Sequence, residues 1–310
     1  MKKILIGLFL VASLSVLGAN SQKKTTSTSN YTANIDNQYF AVDGSLMNMY
    51  SKEKTEFKNK YMALTQKRDK KNLIALLKEY VKKYPNDAYA YEEIGTDYDI
   101  LGNQKEAEKY YLKAIELGDD DTGVYSLFLL YSDEDYLKSL NLTVKEKNEK
   151  NSIVDKYEKQ LSDAGFTHDK LKELREHKQM ALIGNAYSIY RLAIYYSGTK
   201  NHKMAEKYAK EFLEFDKEDV QNLNILSEAY IAQKKYSEAE KFFLPLAQKG
   251  NSQAQYLLAL GYYHAGNLKE AEKWAKKTLE KPERKQPDDI EAAKELLNRI
   301  NSKLKALNKK

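Results

Sequence analysis

The sequence predicts an all-α fold of antiparallel helix pairs stacked in a row, and three observations predict it. One string recurs four times, as Ala107-Glu108-Lys109-Tyr110, Ala205-Glu206-Lys207-Tyr208, Ala239-Glu240-Lys241-Phe242 and Ala271-Glu272-Lys273-Trp274. A Tyr stands nine residues before each Ala, at Tyr98, Tyr196, Tyr230 and Tyr262, and the last three Ala residues are 34 and 32 residues apart. Pro occurs only 4 times in 310 residues, in a chain rich in Ala, Leu, Lys and Glu, the strong helix formers. A fixed internal period of this size is the signature of a helical array.

The unit around Tyr98 is the clearest. Tyr91, Ile94, Gly95 and Tyr98 recur at three- and four-residue steps and predict one face of a helix over about 88–101. Gly102-Asn103 breaks it. A second helix over about 105–117 turns Ala107, Tyr111, Ala114 and Ile115 back toward the first, and Gly118 ends it. Small residues at Gly95 and Ala107 allow close approach, and Tyr98 fills the space beside that contact.

Tyr91, Ile94, Gly95, Tyr98, Ala107, Tyr111 and Ala114 resemble the tetratricopeptide repeat (TPR) pattern of aromatic, aliphatic, small and large positions. Leu192, Ala193 and Ala205 carry the resemblance in the Tyr196 unit. In the Tyr230 unit Leu223, Leu226, Ala239 and Phe243 carry it, while Ser227 replaces the usual Gly or Ala and Pro245 predicts a kink or early stop in the second helix. The last unit resembles the related Sel-like repeats through Gly250-Asn251, Ala254, Leu258, Tyr262, Gly266, Ala271 and Trp274. The resemblance implies a right-handed superhelical solenoid whose first helices line a concave face.

The remaining segments follow in order. Lys2 and Lys3 precede an apolar run from Ile4 to Gly18, which reads as a secretory signal over 1–19. At about 15 residues the run is short of the roughly 20 that span a bilayer, and no transmembrane segment is expected after signal removal. A Ser-, Thr- and Asn-rich stretch over 20–50 reads as a flexible tether, with Tyr39-Phe40-Ala41-Val42 a small apolar patch inside it. N-terminal TPR-like units cover 51–118, beginning with a degenerate pair built on Phe57, Tyr61, Leu64, Leu73, Leu77 and Tyr80. Diverged helical repeats or an insertion cover 119–184, with helices over 122–131, 144–161 and 168–183. TPR/Sel-like units cover 185–285. A capping helix and Lys-rich tail cover 286–310, with Ile290, Leu296, Leu297, Ile300 and Leu304 on one side.

Composition excludes several function classes. The chain has no Cys, which removes disulfides, thiol catalysis and a lipoprotein anchor. Its net charge of +6 is mild, and the Lys residues interleave with Glu and Asp, so no nucleic-acid partner is expected. The four His residues (His168, His177, His202 and His264) form no pair at metal-ligand spacing. Asp119-Asp120-Asp121 lacks the spacing of a calcium loop and reads as a helix start. Asp133, Glu134 and Asp135 read as the acidic background of a helical chain rather than hydrolytic carboxylates. No phosphate-cradling Gly-rich loop occurs. Neither catalytic residue, metal nor cofactor is expected.

The expected function is therefore binding. The concave-face positions of the resemblance are Tyr89, Glu92, Thr96 and Asp99 in the first clear unit, then Tyr187, Tyr190, Asn224, Glu228, Tyr256, Leu260, Tyr263 and His264. Tyr offers large contact area with a hydrogen-bonding tip. Some TPR domains grip a terminal carboxylate with cations on this face; here Glu92 and Thr96 stand at such positions and only Arg191 supplies a cation, which argues against that clamp. These features predict an exported scaffold or adaptor, periplasmic or secreted, that binds a protein or peptide in the cell envelope. A cell-wall glycan-binding or glycan-processing accessory protein and a secreted host-directed adhesin are the alternatives. The oligomeric state stays open.

Overall fold

The structure, a computed structural model, describes residues 49–280 and 287–307. The expected signal over 1–19 and the tether as far as Asn48, with its Tyr39–Val42 patch, lie outside the described residues. Fifteen helices are described: α1 Thr55–Gln66, α2 Lys70–Lys83, α3 Ala88–Ile100, α4 Gln104–Glu116, α5 Thr122–Tyr131, α6 Glu134–Ser139, α7 Val144–Asp163, α8 His168–Leu182, α9 Ala186–Gly198, α10 His202–Leu213, α11 Val220–Ala232, α12 Tyr236–Gln248, α13 Ser252–His264, α14 Leu268–Leu279 and α15 Pro287–Leu307. The fold is all-α, and consecutive helices pack as pairs in a helical-repeat array.

The turn inside each pair explains the nine-residue offset. The first helix ends on a residue with positive φ: Arg68, Gly102, Lys200, Lys234 or Gly266. In three of these turns the next residue donates its N–H back to the marker Tyr: Asn103 to Tyr98 O, Lys235 to Tyr230 O and Asn267 to Tyr262 O, each at 2.9 Å. That bond closes the helix end by satisfying an orphan carbonyl. The same residue then starts the second helix, where its carbonyl accepts from the Ala of the recurring string: Ala107, Ala239 and Ala271, each at 3.0 Å. Five residues from Tyr to turn and four from turn to Ala make nine. Asn103, Asn201 and Asn267 also cap their helices with side-chain oxygens. Lys200 and Lys234 hold the left-handed conformation that Gly takes at 102 and 266, so spacing reveals the turn where composition does not.

Close approach within a pair is real. A Cβ on Gly95 would stand 2.7 Å from the Tyr111 ring and 3.2 Å from Ala107 O. Tyr111 is buried, so its ring has nowhere to move. Pro245 does not stop its helix early, because α12 runs on to Gln248. The proline sits in the last turn, where the missing N–H removes one bond and the following Lys249 N–H still reaches Pro245 O at 3.3 Å.

The core has three parts. Leu73, Leu77, Tyr61, Tyr89 and Ile94 form the first around α1–α3, joined by Leu182 of α8 and Ile183 just after it. Ala107, Tyr111, Leu127, Leu130 and Tyr136 form the second around α4–α6, with Ile153, Val154 and Tyr157 of α7 packed on it. The third runs from α8 to α15 and takes in Ala88 and Leu117 of the first array. Within it Tyr196 and Tyr208 stack with ring centroids 5.6 Å apart and planes 3° apart.

The stretch 119–184 holds four helices, α5 to α8. The helix α5 packs against α7 across the short α6, which begins at the capping residue Asp133 and was not foreseen. The helix α8 then returns along α3 and α5 before meeting α9. The last tether positions are likewise not loose: Tyr50 forms an antiparallel bridge with Asn185, and Ala186 N–H donates to Met49 O at 3.0 Å. The array is thus not strictly nearest-neighbour, as a simple solenoid would be.

Candidate functional site

The first helices of the C-terminal pairs, α9, α11 and α13, touch one another along the row, and α15 continues it beyond α13. Their exposed side chains make up the inner face that the repeat register leads one to expect. In the N-terminal array the matching helices are α1, α3 and α5, and α8 lies against them. Gln179 of α8 donates to the Tyr61 hydroxyl of α1 at 2.9 Å. Arg175 donates to Glu92 of α3 through Nε at 3.1 Å and Nη2 at 2.8 Å. It also donates to Ser126 of α5 at 2.6 Å.

Below these contacts lies a buried charge network. The Lys178 ammonium, with its side chain fully buried, donates to Asp119 Oδ1 at 2.7 Å, Asp121 Oδ1 at 2.5 Å and Thr122 Oγ1 at 2.7 Å. Glu92 accepts from Thr122 Oγ1 at 2.6 Å and Ser126 Oγ at 3.1 Å. Asp121 caps α5, and Asp119 accepts from the Gly123 N–H at 2.9 Å. Burial pushes the Asp119 carboxyl up, but the Lys178 charge and the hydrogen bonds outweigh it and leave it at about 2. Burial wins at Asp121, which is pushed up to about 7 despite the same ammonium. Burial likewise raises Glu92 against the pull of Arg175.

Two of the expected surface residues are therefore interior. Glu92 is 1% exposed and Tyr89 is 3% exposed. The reason for this correction is α8, which fills the groove that these residues line. Tyr89 spends its hydroxyl on Glu93 at 2.9 Å. Tyr190 is a third correction: it is buried, with its ring 5.1 Å from Phe212 in the C-terminal core. Thr96 is half-buried and Asp99 exposed at the end of α3.

The other positions remain at the surface. Tyr187 is half-buried, its ring edge-on to His177 at 5.9 Å. Asn224 is exposed and accepts from Gln253 at 2.5 Å, joining α11 to α13. Glu228 is exposed and pairs with Lys200 at 2.7 Å. Tyr256, Leu260 and Tyr263 are half-buried on one face of α13, and His264 is exposed beside them. The Lys303 ammonium of α15 stands 3.9 Å from the Tyr263 ring centroid. No cluster of three His, Asp or Glu side chains suited to a metal ion occurs among the described residues. No helix among them is long and apolar enough to cross a membrane. A shallow groove of about 660 Å³ lies off the inner face, along Lys105, Lys109 and Lys113 of α4 beside Tyr91.

Sequence reasoning missed Arg175 and Lys178. One signal was present: Leu171, Leu174, Lys178, Ala181 and Leu182 recur at helical spacing, which places a Lys in an apolar register. A buried Lys needs anionic partners, and the Asp119-Asp121 cluster, read from the sequence only as a helix start, supplies them.

No family model matches the sequence, and no curated protein matches it. Among solved structures, the chain aligns over 92% of its length with 72% of the TPR domain of P58(IPK), at 15% identity and a TM-score of 0.32. It aligns over 83% of its length with 98% of the assembly chaperone of RpL4 (Acl4), residues 1–338, at 12% identity and a TM-score of 0.29. The repeated turn and paired helices of the chain itself make it a helical-repeat protein.

Proposed function

We propose that this chain is an exported interaction scaffold that holds a protein or peptide partner along the C-terminal half of its inner face. The observation that carries the reading is the contrast between the two halves. The N-terminal half is filled by α8, whereas Tyr187, Asn224, Tyr256, Leu260 and Tyr263 keep exposed surface along α9, α11 and α13. Half-buried Tyr and Leu side chains lose little freedom on binding and offer apolar area with polar tips. Lys2, Lys3 and the apolar run to Gly18 support export, and with it a periplasmic or extracellular place of action in the envelope.

In-cell crosslinking of the tagged chain tests this. A Tyr187→Ala/Tyr256→Ala/Tyr263→Ala variant is expected to lose a discrete crosslinked partner, and an outer-face Leu112→Ala control to keep it. Tyr190 is left intact because its removal would damage the core. Equal crosslinking by all three proteins would overturn the inner-face assignment.

A further inference from the structure

The end of the inner face carries a local excess of positive charge. His264 closes α13, and Arg299 and Lys303 project from α15 one helical turn apart. Lys303 lies over the Tyr263 ring at 3.9 Å. Among the described residues Arg299 pairs with Glu295 at 3.7 Å, and both side chains are more than 60% exposed. Such an exposed i,i+4 pair is weak and readily exchanged. His264 senses the field: burial lowers its pKa, and Lys303 and Arg299 lower it further. On the same face of α13, Leu260 and Tyr256 lie one and two turns back from His264, so an apolar strip leads into the cationic corner.

Resting on the inner-face reading above, we propose that His264, Arg299, Lys303 and Tyr263 form the anion-receiving end of the binding face. The segment seated there is an acidic peptide of a partner protein. An apolar residue of that peptide packs on Tyr256 and Leu260, and its carboxylates meet Arg299 and Lys303. Charge complementarity selects the occupant: a basic segment would bring like charges together at this corner. The site differs from the clamp excluded on sequence grounds, because its cations come from α15 and not from the first helices of the central pairs.

The experiment uses two fluorescein-labelled peptides, Gly-Glu-Glu-Leu-Glu-Glu-Gly and its counterpart with Lys in place of every Glu, titrated by fluorescence anisotropy at low salt. The acidic peptide is expected to bind about fivefold or more tighter than the basic one, with the difference shrinking as salt rises. Arg299→Glu with Lys303→Glu, both at exposed positions, is expected to reverse the order. Tyr256→Ala is expected to weaken the acidic peptide without changing the order. By NMR, the His264 ring is expected to titrate at higher pH once the acidic peptide is bound, which a purely structural role for Arg299 and Lys303 would not produce. Equal binding of the two peptides, both weakened by Tyr256→Ala, would overturn charge selection and leave the inner-face reading standing. Binding of neither peptide would overturn this proposal, with the inner face then judged by the crosslinking comparison. An order unchanged by charge reversal would move any anion site elsewhere.

Discussion

Lys178→Met is expected to destabilise the fold by about 3–5 kcal/mol at pH 8, the usual cost of leaving a buried ion network without one partner. The side chain is fully buried, and its ammonium is the common donor to Asp119, Asp121 and Thr122. Met nearly matches the stem in volume, so the loss is of charge and hydrogen bonds rather than packing. The pH dependence separates this account from a cavity effect. In the wild type, Asp119 at about 2 contributes stability above the unfolded value of about 3.9, lost as pH falls through about 2. Asp121, raised to about 7, acts with the opposite sign: the native state holds its proton where the unfolded chain has lost it, so stability declines from about pH 4 to about pH 7. Without Lys178, burial dominates at both carboxyls and the native variant takes up protons more readily. The loss measured by urea denaturation should therefore be smaller at pH 5 than at pH 8. A cost under about 1 kcal/mol, or one equal at the two pH values, would contradict the network as described.

Glu92→Ala is expected to cost about 2–4 kcal/mol, while binding at the inner face stays unchanged. Its carboxylate joins three helices, accepting from Thr122 and Ser126 of α5 and Arg175 of α8. Alanine leaves those donors facing a gap, although Arg175, about one-third exposed, recovers part of its hydration. Glu92→Gln fills the same space and keeps an acceptor, so it should cost less than Ala. A double-mutant cycle with Arg175→Met should give a coupling energy of about 1–3 kcal/mol. A Glu92→Ala protein as stable as wild type but defective in partner binding would restore the surface role expected from the sequence.

These two residues mark where the sequence was legible and where it was not. The fold was readable because one turn geometry repeats: Tyr98, Tyr230 and Tyr262 mark the carbonyl that closes the first helix, and Ala107, Ala239 and Ala271 the first bond of the second. Such local bonds leave a fixed spacing in the chain. The helix over 122–131 was legible for a similar reason, through its apolar run and the Asp before it. The position of α8 was not, because its contacts join residues far apart, such as Arg175 to Glu92 and Gln179 to Tyr61. No local pattern records which helix will occupy a groove. Hence Tyr89 and Glu92 were assigned by repeat position to a face that the chain itself covers. Tyr190 failed differently: a Tyr at an inner position serves packing or binding, and the nearby Phe212 decides for packing. Tyr256, Leu260 and Tyr263 keep part of their surface because, among the described residues, no helix lies across α11 and α13 as α8 lies across α3 and α5, while α15 packs on α13 and α14.

The central claim is that α8 closes the N-terminal half of the inner face and leaves the C-terminal half open. The chain contains no Cys, so single cysteines can report on both halves without background. Ser126→Cys and Asn224→Cys place nearly isosteric or small thiols under α8 and on α11, at positions that are 5% exposed and exposed respectively. Maleimide labelling of the native proteins should modify the thiol at 224 rapidly. The thiol at 126 should react only at the rate of global unfolding, accelerating steeply with urea. Equally fast labelling at both positions in native buffer would show the N-terminal groove to be open, and the division of the inner face would be wrong.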